Sequence, residues 1–207
     1  MGEFIYSDDR NSKKWKIHWP SFRIETPLRL EDEIARLISE RRVVGVFWGR
    51  SEFGPRALGN RSILADPRWE GMKDFINERI KHRQWFRPYA PIVLEEKAAD
   101  WFEMDAPSPH MLIVAKVLES KREIIPAVTH VDGTARVQTV APDDDSPVRR
   151  VIEAFDRLTG VPVVINTSFN DHGEPIVETP LDAFQCFAQT QLDILVLGRR
   201  ILFKEGA

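Results

Sequence analysis

The 207-residue sequence holds a single cysteine, Cys186, which excludes an internal disulfide framework and fits the reducing cytoplasm. Long apolar runs are missing. Residues 43–48 and 194–197 are among the longest and fall far short of the roughly 18 residues of a membrane-spanning helix, so no membrane partner is expected. Charged and polar residues come soon after Met1, against a secretory leader, and the expected location is cytoplasmic. The five histidines (His18, His82, His110, His130, His172) include no pair at i, i+4, so no metal site is expected. Nor does charge of one sign dominate: 29 Lys plus Arg against 32 Asp plus Glu leave −3. With 43% hydrophobic and 29% charged residues, the chain suits one globular domain and excludes wholesale disorder or collagen-like repeats.

What is present is unevenly placed. Residues 50–88 carry nine basic side chains against five acidic ones, a local +4 that leaves −7 for the remainder. A cationic stretch in an acidic protein points to a discrete anion site, although charge runs are commonly no more than solvated helix faces.

Residues 1–26 lack periodicity: Trp15, Trp19 and Phe22 lie among Lys13, Lys14 and Lys16, which reads as an arm or linker remnant. From residue 27 the pattern becomes regular. Leu30, Ile34, Leu37 and Ile38 predict an amphipathic helix ending near Arg42, and residues 43–48 a buried strand. Strands are expected over 61–65, 90–94, 111–117 (as core), 134–140, 162–166, 193–197 and 200–203. Met72, Phe75, Ile76 and Ile80 predict a further helix. Ser146-Pro147 starts another that ends at Gly160, and Thr179-Pro180, with Asp182 completing a capping box, starts the last. Interleaved strands and helices argue for an α/β layer structure with a largely buried sheet.

Three segments carry chemistry. Residues 49–56 have the spacing of a phosphate-binding P-loop up to Gly54, but Pro55-Arg56 stand where Lys-Ser is required, and proline offers no N–H. A P-loop triphosphatase is therefore not expected. The loop still combines Gly49, Gly54 and Gly59 with Arg56 and Arg61, whose planar forks match phosphate oxygens. Residues 81–88 place Lys81, Arg83 and Arg87 around Trp85-Phe86, a pattern that serves either single-stranded nucleic acid by stacking or a nucleotide pocket with aromatic walls. Finally, Asn166-Thr167-Ser168-Phe169-Asn170 follows a predicted strand, where open α/β sheets place ligands. Cys186, between Phe184 and Phe187, reads as a core thiol. His130 beside Asp132 reads as a general base or as a hydrogen-bonded turn residue.

Lys81-x-Arg83 followed by Ser168-x-Asn170 resembles the paired signature of YrdC-like domains, which make carbamoyl- or threonylcarbamoyl-adenylates. More specifically, Gly49-Arg50-x-Glu52-x-Gly54-Pro55-Arg56-Ala57-Leu58-Gly59-Asn60-Arg61-Ser62-Ile63-Leu64-Ala65-Asp66-Pro67-Arg68 resembles the C-terminal half of O-carbamoyltransferases of the nodulation and antibiotic type. Residues 81–91 and 163–170 match that half in order, so the resemblance runs from about residue 27 to 203. It implies a twisted, mixed, open α/β sheet flanked by helices, a single YrdC-like domain over residues 27–207.

The resemblance also implies an activity: formation of carbamoyl-adenylate from ATP and carbamoyl phosphate with release of pyrophosphate, with Mg²⁺ accompanying the nucleotide. Lys81, Arg136 and Ser168 would be the catalytic set. Arg56, Arg61, Arg83, Arg87, His130, Asn166, Thr167 and Asn170 would complete the binding of ATP and carbamoyl phosphate. The family's N-terminal transferase half has no counterpart in this sequence. It is expected in cis in a longer protein or as a separate subunit, and the chain alone is expected to stop at the adenylate. A threonylcarbamoyl-adenylate synthase and a nucleic-acid-binding module are the alternatives. The run at 54–61 speaks against the first, and nucleic acid is not an expected partner.

Overall fold

The computed structural model describes residues 21–204, together with the backbone of residues 5–6 and 15–16. In chain order its strands and helices are β1 (Ile5–Tyr6), β2 (Trp15–Lys16), β3 (Phe22–Glu25), α1 (Leu30–Ser39), β4 (Val44–Phe47), β5 (Arg61–Ala65) and α2 (Met72–Arg79). These are followed by β6 (Ala90–Leu94), β7 (Phe102–Glu103), β8 (Ile113–Val117), α3 (Glu119–Arg122) and β9 (Thr134–Val140). The last are α4 (Pro147–Thr159), β10 (Val163–Ser168), α5 (Pro180–Gln189), β11 (Ile194–Leu197) and β12 (Arg200–Lys204). Among the described residues no helix is long and apolar enough to cross a membrane.

Local chemistry sets the helix ends. Ser146 Oγ accepts the Arg149 amide at the start of α4, Pro147 occupies the first turn, and Gly160 at φ 72 closes the helix by donating to Asp156 O. Thr179 and Asp182 form the reciprocal capping box of α5. Helix α1 has no side-chain cap, but Glu31, Asp32 and Glu33 lie in its first turn, where the helix dipole favours negative charge. It ends at Ser39, three residues before the expected stop, and Arg41 follows at φ 67.

Ten strands form one open mixed sheet in the order β3-β12-β11-β4-β5-β10-β6-β9-β8-β7. Neighbours are antiparallel except for the parallel pairs β11–β4 and β6–β9. Central strands β5 and β6 are buried along their whole length and β10 over residues 163–166, with apolar runs at 63–65, 90–94 and 163–165, as expected of a sheet covered on both faces. Helix α4 packs on β6 and β10, α5 on β4 and β11, and α1 along α4 with Glu31–Arg150 and Asp32–Arg157 ion pairs, each at 2.9 Å. The mixed, open α/β sheet flanked by helices that is expected from the sequence is thus the one observed. Most of the expected N-terminal arm lies outside the described residues, but its last part, β3, pairs with β12, so the sheet begins before residue 27. The segment 111–117 is only partly core. The strand starts at Ile113, and Leu112 and Val114 are 77% and 58% exposed.

The β4–β5 connection is a folded loop held by its own residues. Glu52 Oε1 accepts the amides of Leu58 and Asn60, each at 2.7 Å, while the Trp48 indole donates to Gly59 O and Asn60 Nδ2 to Arg50 O. Gly59 lies at φ 134, and a Cβ there would come within 2.6 Å of Val148 Cγ1 on α4. Gly54 is also left-handed, at φ 119, but a Cβ there would meet nothing within 4 Å. Gly59→Ala is therefore expected to lower the unfolding free energy by about 2–5 kcal/mol, strain and overpacking combined. Gly54→Ala should cost about 1–2 kcal/mol from strain alone. Equilibrium urea titration of both variants checks the order; equal losses would show that contact with α4 contributes nothing.

Candidate functional site

A cleft of about 400 Å³ opens over one row of the sheet. Asn166 on β10 pairs with Ala90 on β6, and Arg136 on β9 pairs with Val114 on β8. Ala90 and Arg136 each lie two residues before the parallel pair Ile92–Gln138, so all four residues share a row across four strands. All four line the cleft. Strand β10 continues past this row, pairing Thr167 and Ser168 with β5 alone, so both face an edge that β6 has vacated and also line the cleft.

Three loops supply the walls. The pinned β4–β5 loop contributes Pro55, Arg56 and Ala57, the α2–β6 loop contributes Arg83, Arg87, Pro88 and Tyr89, and the segments before β8 and β9 contribute Met111 and His130. The lining thus holds four arginines and neither Asp nor Glu. Burial pushes the Arg136 guanidinium below its ordinary range, and the charges of Arg56 and Arg83 act in the same direction. Burial lowers Arg83 as well. A set of like charges held this close is relieved by an anion.

Arg83 is positioned by neighbours. Its Nε donates to Asn77 Oδ1 at 2.8 Å, Tyr89 Oη donates to the same oxygen at 2.6 Å, and the guanidinium lies 4.6 Å from the Tyr89 ring centroid. Burial pushes the Tyr89 hydroxyl up to about 12, so it stays a neutral donor. Burial lowers His130, with Asp132 opposing. Its Nδ1 is 3.2 Å from Thr134 Oγ1, and Asp132 binds the Thr134 amide and hydroxyl, which is the arrangement of a hydrogen-bonded turn.

Eight of the eleven sequence-derived site residues therefore line the cleft: Arg56, Arg83, Arg87, His130, Arg136, Asn166, Thr167 and Ser168. Arg61, Lys81 and Asn170 do not. The Arg61 guanidinium is buried under its own loop, donating to Trp48 O, Asn60 O and Gly49 O, 3.6 Å from the Phe47 ring centroid; it braces the loop that presents Arg56. Lys81 lies just behind the wall. Its ammonium donates to Ser168 O at 2.5 Å, Asn170 Oδ1 at 2.6 Å and Asn170 O at 2.9 Å, and Ser168 Oγ is 3.2 Å away. Asn170 receives the Lys81 ammonium and the Ser168 hydroxyl (2.7 Å) and donates to Glu174 O. Burial pushes Lys81 down to about 7, with Arg83 and Arg87 pushing the same way.

Of the two readings of Trp85 and Phe86, as stacking surfaces or as pocket walls, the second is not met: they are 69% and 62% exposed and do not line the cleft, whose apolar lining includes Tyr89, Met111 and Val114. Cys186 is a buried thiol pushed up to about 12, as its core position predicts. Gln138, missed in the sequence, receives Asn166 Nδ2 at 2.6 Å and donates to Leu58 O at 2.8 Å. Its signal was available in the alternation of β9, since Gln138 shares a face with Arg136 two residues away.

A family model described as Carbamoyltransferase C-terminus matches residues 35–204. An uncharacterized protein of Synechocystis is 46% identical over 192 residues, covering 83% of this chain and 31% of its own length. The nodulation protein NolNO of Sinorhizobium fredii is 47% identical over 203 residues (96% of this chain, 30% of its own), and NolO of Bradyrhizobium diazoefficiens 49% over 168 residues (80% and 31%). The chain thus spans about three-tenths of the length of these relatives. Among solved structures, full-length HypF in its phosphate- and nucleotide-bound form aligns with TM-score 0.54 at 15% identity over 90% of this chain and 22% of its own. A variant of P. abyssi Sua5 aligns with TM-score 0.53 at 15% identity over 80% of this chain and 52% of its own. These two likenesses establish the fold.

The position of Lys81 sets a pH dependence. Sulfate does not titrate near neutrality, so its affinity for the cleft is expected to fall as pH rises from about 6 to about 9, while the ammonium loses its proton near 7. Stability moves the other way. The unfolded lysine holds its proton up to about 10.4, so between about 7 and that value the unfolded state binds more protons and stability rises with pH, by at most about 1.4 kcal/mol per unit. Below about 7 both states are protonated and this contribution is flat at its least favourable. Calorimetric sulfate titrations and urea unfolding across the range check both slopes, which Lys81→Met should flatten. Sulfate affinity independent of pH in the unsubstituted protein would refute the assignment.

Proposed function

Because this chain belongs to the carbamoyltransferase C-terminus family, we propose that it forms carbamoyl-adenylate from ATP and carbamoyl phosphate. The observation that carries this reading is the cleft: four arginines converge without a carboxylate, beside the small polar side chains of Thr167 and Ser168. Such a site suits two anionic substrates whose charges must be neutralised before they approach each other.

The chemistry needs no protein nucleophile. Water cleaves carbamoyl phosphate to carbamate and inorganic phosphate. A carbamate oxygen then attacks the α-phosphorus of ATP. The new O–P bond forms as the bond to the β,γ-pyrophosphate breaks, and pyrophosphate leaves with the electron pair. Arg56 and Arg87 hold the phosphates, and Arg136 and Ser168 act where the carbamoyl group meets phosphorus. Lys81 is a positioning residue that fixes Ser168 through the turn behind it. The gain comes from alignment and from charge stabilisation prepared in advance.

Among the described residues no group of three or more His, Cys, Asp or Glu could hold a metal ion, and no carboxylate lines the cleft. These side chains do not fit a protein-held Mg²⁺; an ion accompanying ATP would be held by phosphate oxygens and water. Transfer of the carbamoyl group to an acceptor belongs to the transferase half, present in cis in a longer protein or as a separate subunit.

The expected outcome is pyrophosphate release that requires both ATP and carbamoyl phosphate. Arg136→Ala and Arg56→Ala should each lower it by about 100-fold or more. Release with threonine and bicarbonate in place of carbamoyl phosphate would overturn the substrate assignment, and no release with either would overturn the reading as a whole.

A further inference from the structure

Arg136 stands in the cleft with its charge unanswered by any oxygen. Among the described residues its guanidinium finds one acceptor, the thioether sulfur of Met111, 3.5 Å from Nη2. Its Nε is buried and donates to nothing. A thioether is a neutral and weak acceptor. It can fix the direction of a guanidinium without cancelling its charge. A carboxylate in the same place would form a charge-assisted pair that an arriving anion would have to break.

The chain goes out of its way to bring that sulfur there. Strand β8 pairs Ile113 with Val137 on β9, and two residues further along the same register would set Met111 opposite Thr139. Ser108 takes that place instead. Thr139 N donates to Ser108 O at 3.0 Å, and Ser108 N donates to Thr139 Oγ1 at 2.9 Å. The residues between are thrown out of the ladder as a turn, which Ser108 Oγ closes by accepting the amides of Leu112 and Ile113 at 3.3 and 3.2 Å.

Met111 ends this turn at φ 57, in the left-handed region that a residue with a Cβ enters only at a cost. Among the described residues two others besides glycine share it, Arg41 and His82, and neither lines the cleft. The result is a methionine only 3% exposed on the cleft wall, while Leu112 beside it is 77% exposed. Burial alone would have turned the sequence the other way round, with the leucine inside.

Resting on the proposed function only in taking the cleft for an anion site, we infer that Met111 is the positioning residue of Arg136. The turn of residues 108–111 holds the sulfur against the guanidinium, which aims the charge at a bound anion and leaves it free to act there.

Isothermal titration of the 207-residue chain with sulfate at pH 6 tests this through four proteins: unsubstituted, Met111→Leu, Arg136→Ala and the double variant. Leucine keeps the apolar bulk and the backbone cost but removes the acceptor. Met111→Leu is expected to weaken sulfate binding by about 3- to 10-fold. In the Arg136→Ala background the same change should alter affinity by less than about twofold, because the group it positions is gone. Met111→Gln, which restores a neutral acceptor on an unbranched side chain, should return affinity to within about twofold of the unsubstituted protein. A residue that merely shapes the wall would cost the same factor with or without Arg136. The stoichiometry of each titration counts folded protein, and Met111→Ala runs the same cycle if the leucine variant does not fold.

An equal loss in both backgrounds, or no loss from Met111→Leu, overturns the inference and leaves the proposed function standing. A glutamine variant as weak as the leucine one also overturns it. Failure of sulfate to bind the unsubstituted protein overturns the anion site, and with it both the proposed function and the role of Met111.

Discussion

A buried ammonium holds the two halves of the cleft together. Lys81, two residues beyond α2, reaches the end of β10 and the turn after it and donates to two main-chain carbonyls and one side-chain oxygen there. Those groups are 87 and 89 residues away in sequence. Next to it, His82 at φ 42 places Nδ1 2.9 Å from Asp171, a second fastening between the same two segments. The loop that carries Arg83 and Arg87 is thereby set against the strand that carries Thr167 and Ser168. No carboxylate ion-pairs with Lys81 among the described residues. Its charge is carried instead by neutral oxygens, which costs desolvation and lowers its hold on the proton.

A second constraint is the register of the sheet. Because β6 begins at Ala90 while β10 runs on to Ser168, the strands end at different heights, and the hollow lies where pairing stops on one side. A shift of one residue in β10 would turn Asn166 and Ser168 to the other face. The strong apolar burial of β5, β6 and β10 is what prevents it. The core is therefore also what aims the polar side chains.

Sequence made some parts of this legible and hid others for physical reasons. Helices α4 and α5 are readable because caps are local: Ser146, Gly160, Thr179 and Asp182 each act within a few residues. Motif membership does not reveal direction. Arg56 and Arg61 lie five residues apart in one run, yet Arg56 faces the cleft while Arg61 spends its fork on Trp48, Gly49 and Asn60 carbonyls. The apolar run at 111–117 gave no sign that Val114 would form a wall, since hydrophobicity names a preference and not a neighbour. Tyr89, Gln138 and Asn77 were missed because their roles arise from contacts across loops and strands. Such contacts appear only when the register is known.

The outermost strands have a bearing on how the molecule behaves at high concentration. A wide open sheet ends in unpaired N–H and C=O groups that can recruit another chain. Here one border is the two-residue β7, too short to template much pairing, with the exposed Glu103 on it and Lys116 at 4.0 Å. The other is β3, where Arg23 and Glu25 pair at 2.6 Å and Arg23 lies 4.6 Å from the Phe203 ring centroid. Charged, abbreviated borders discourage strand-by-strand pairing with another chain, so a sheet broad enough to floor the cleft is guarded at both of its described edges.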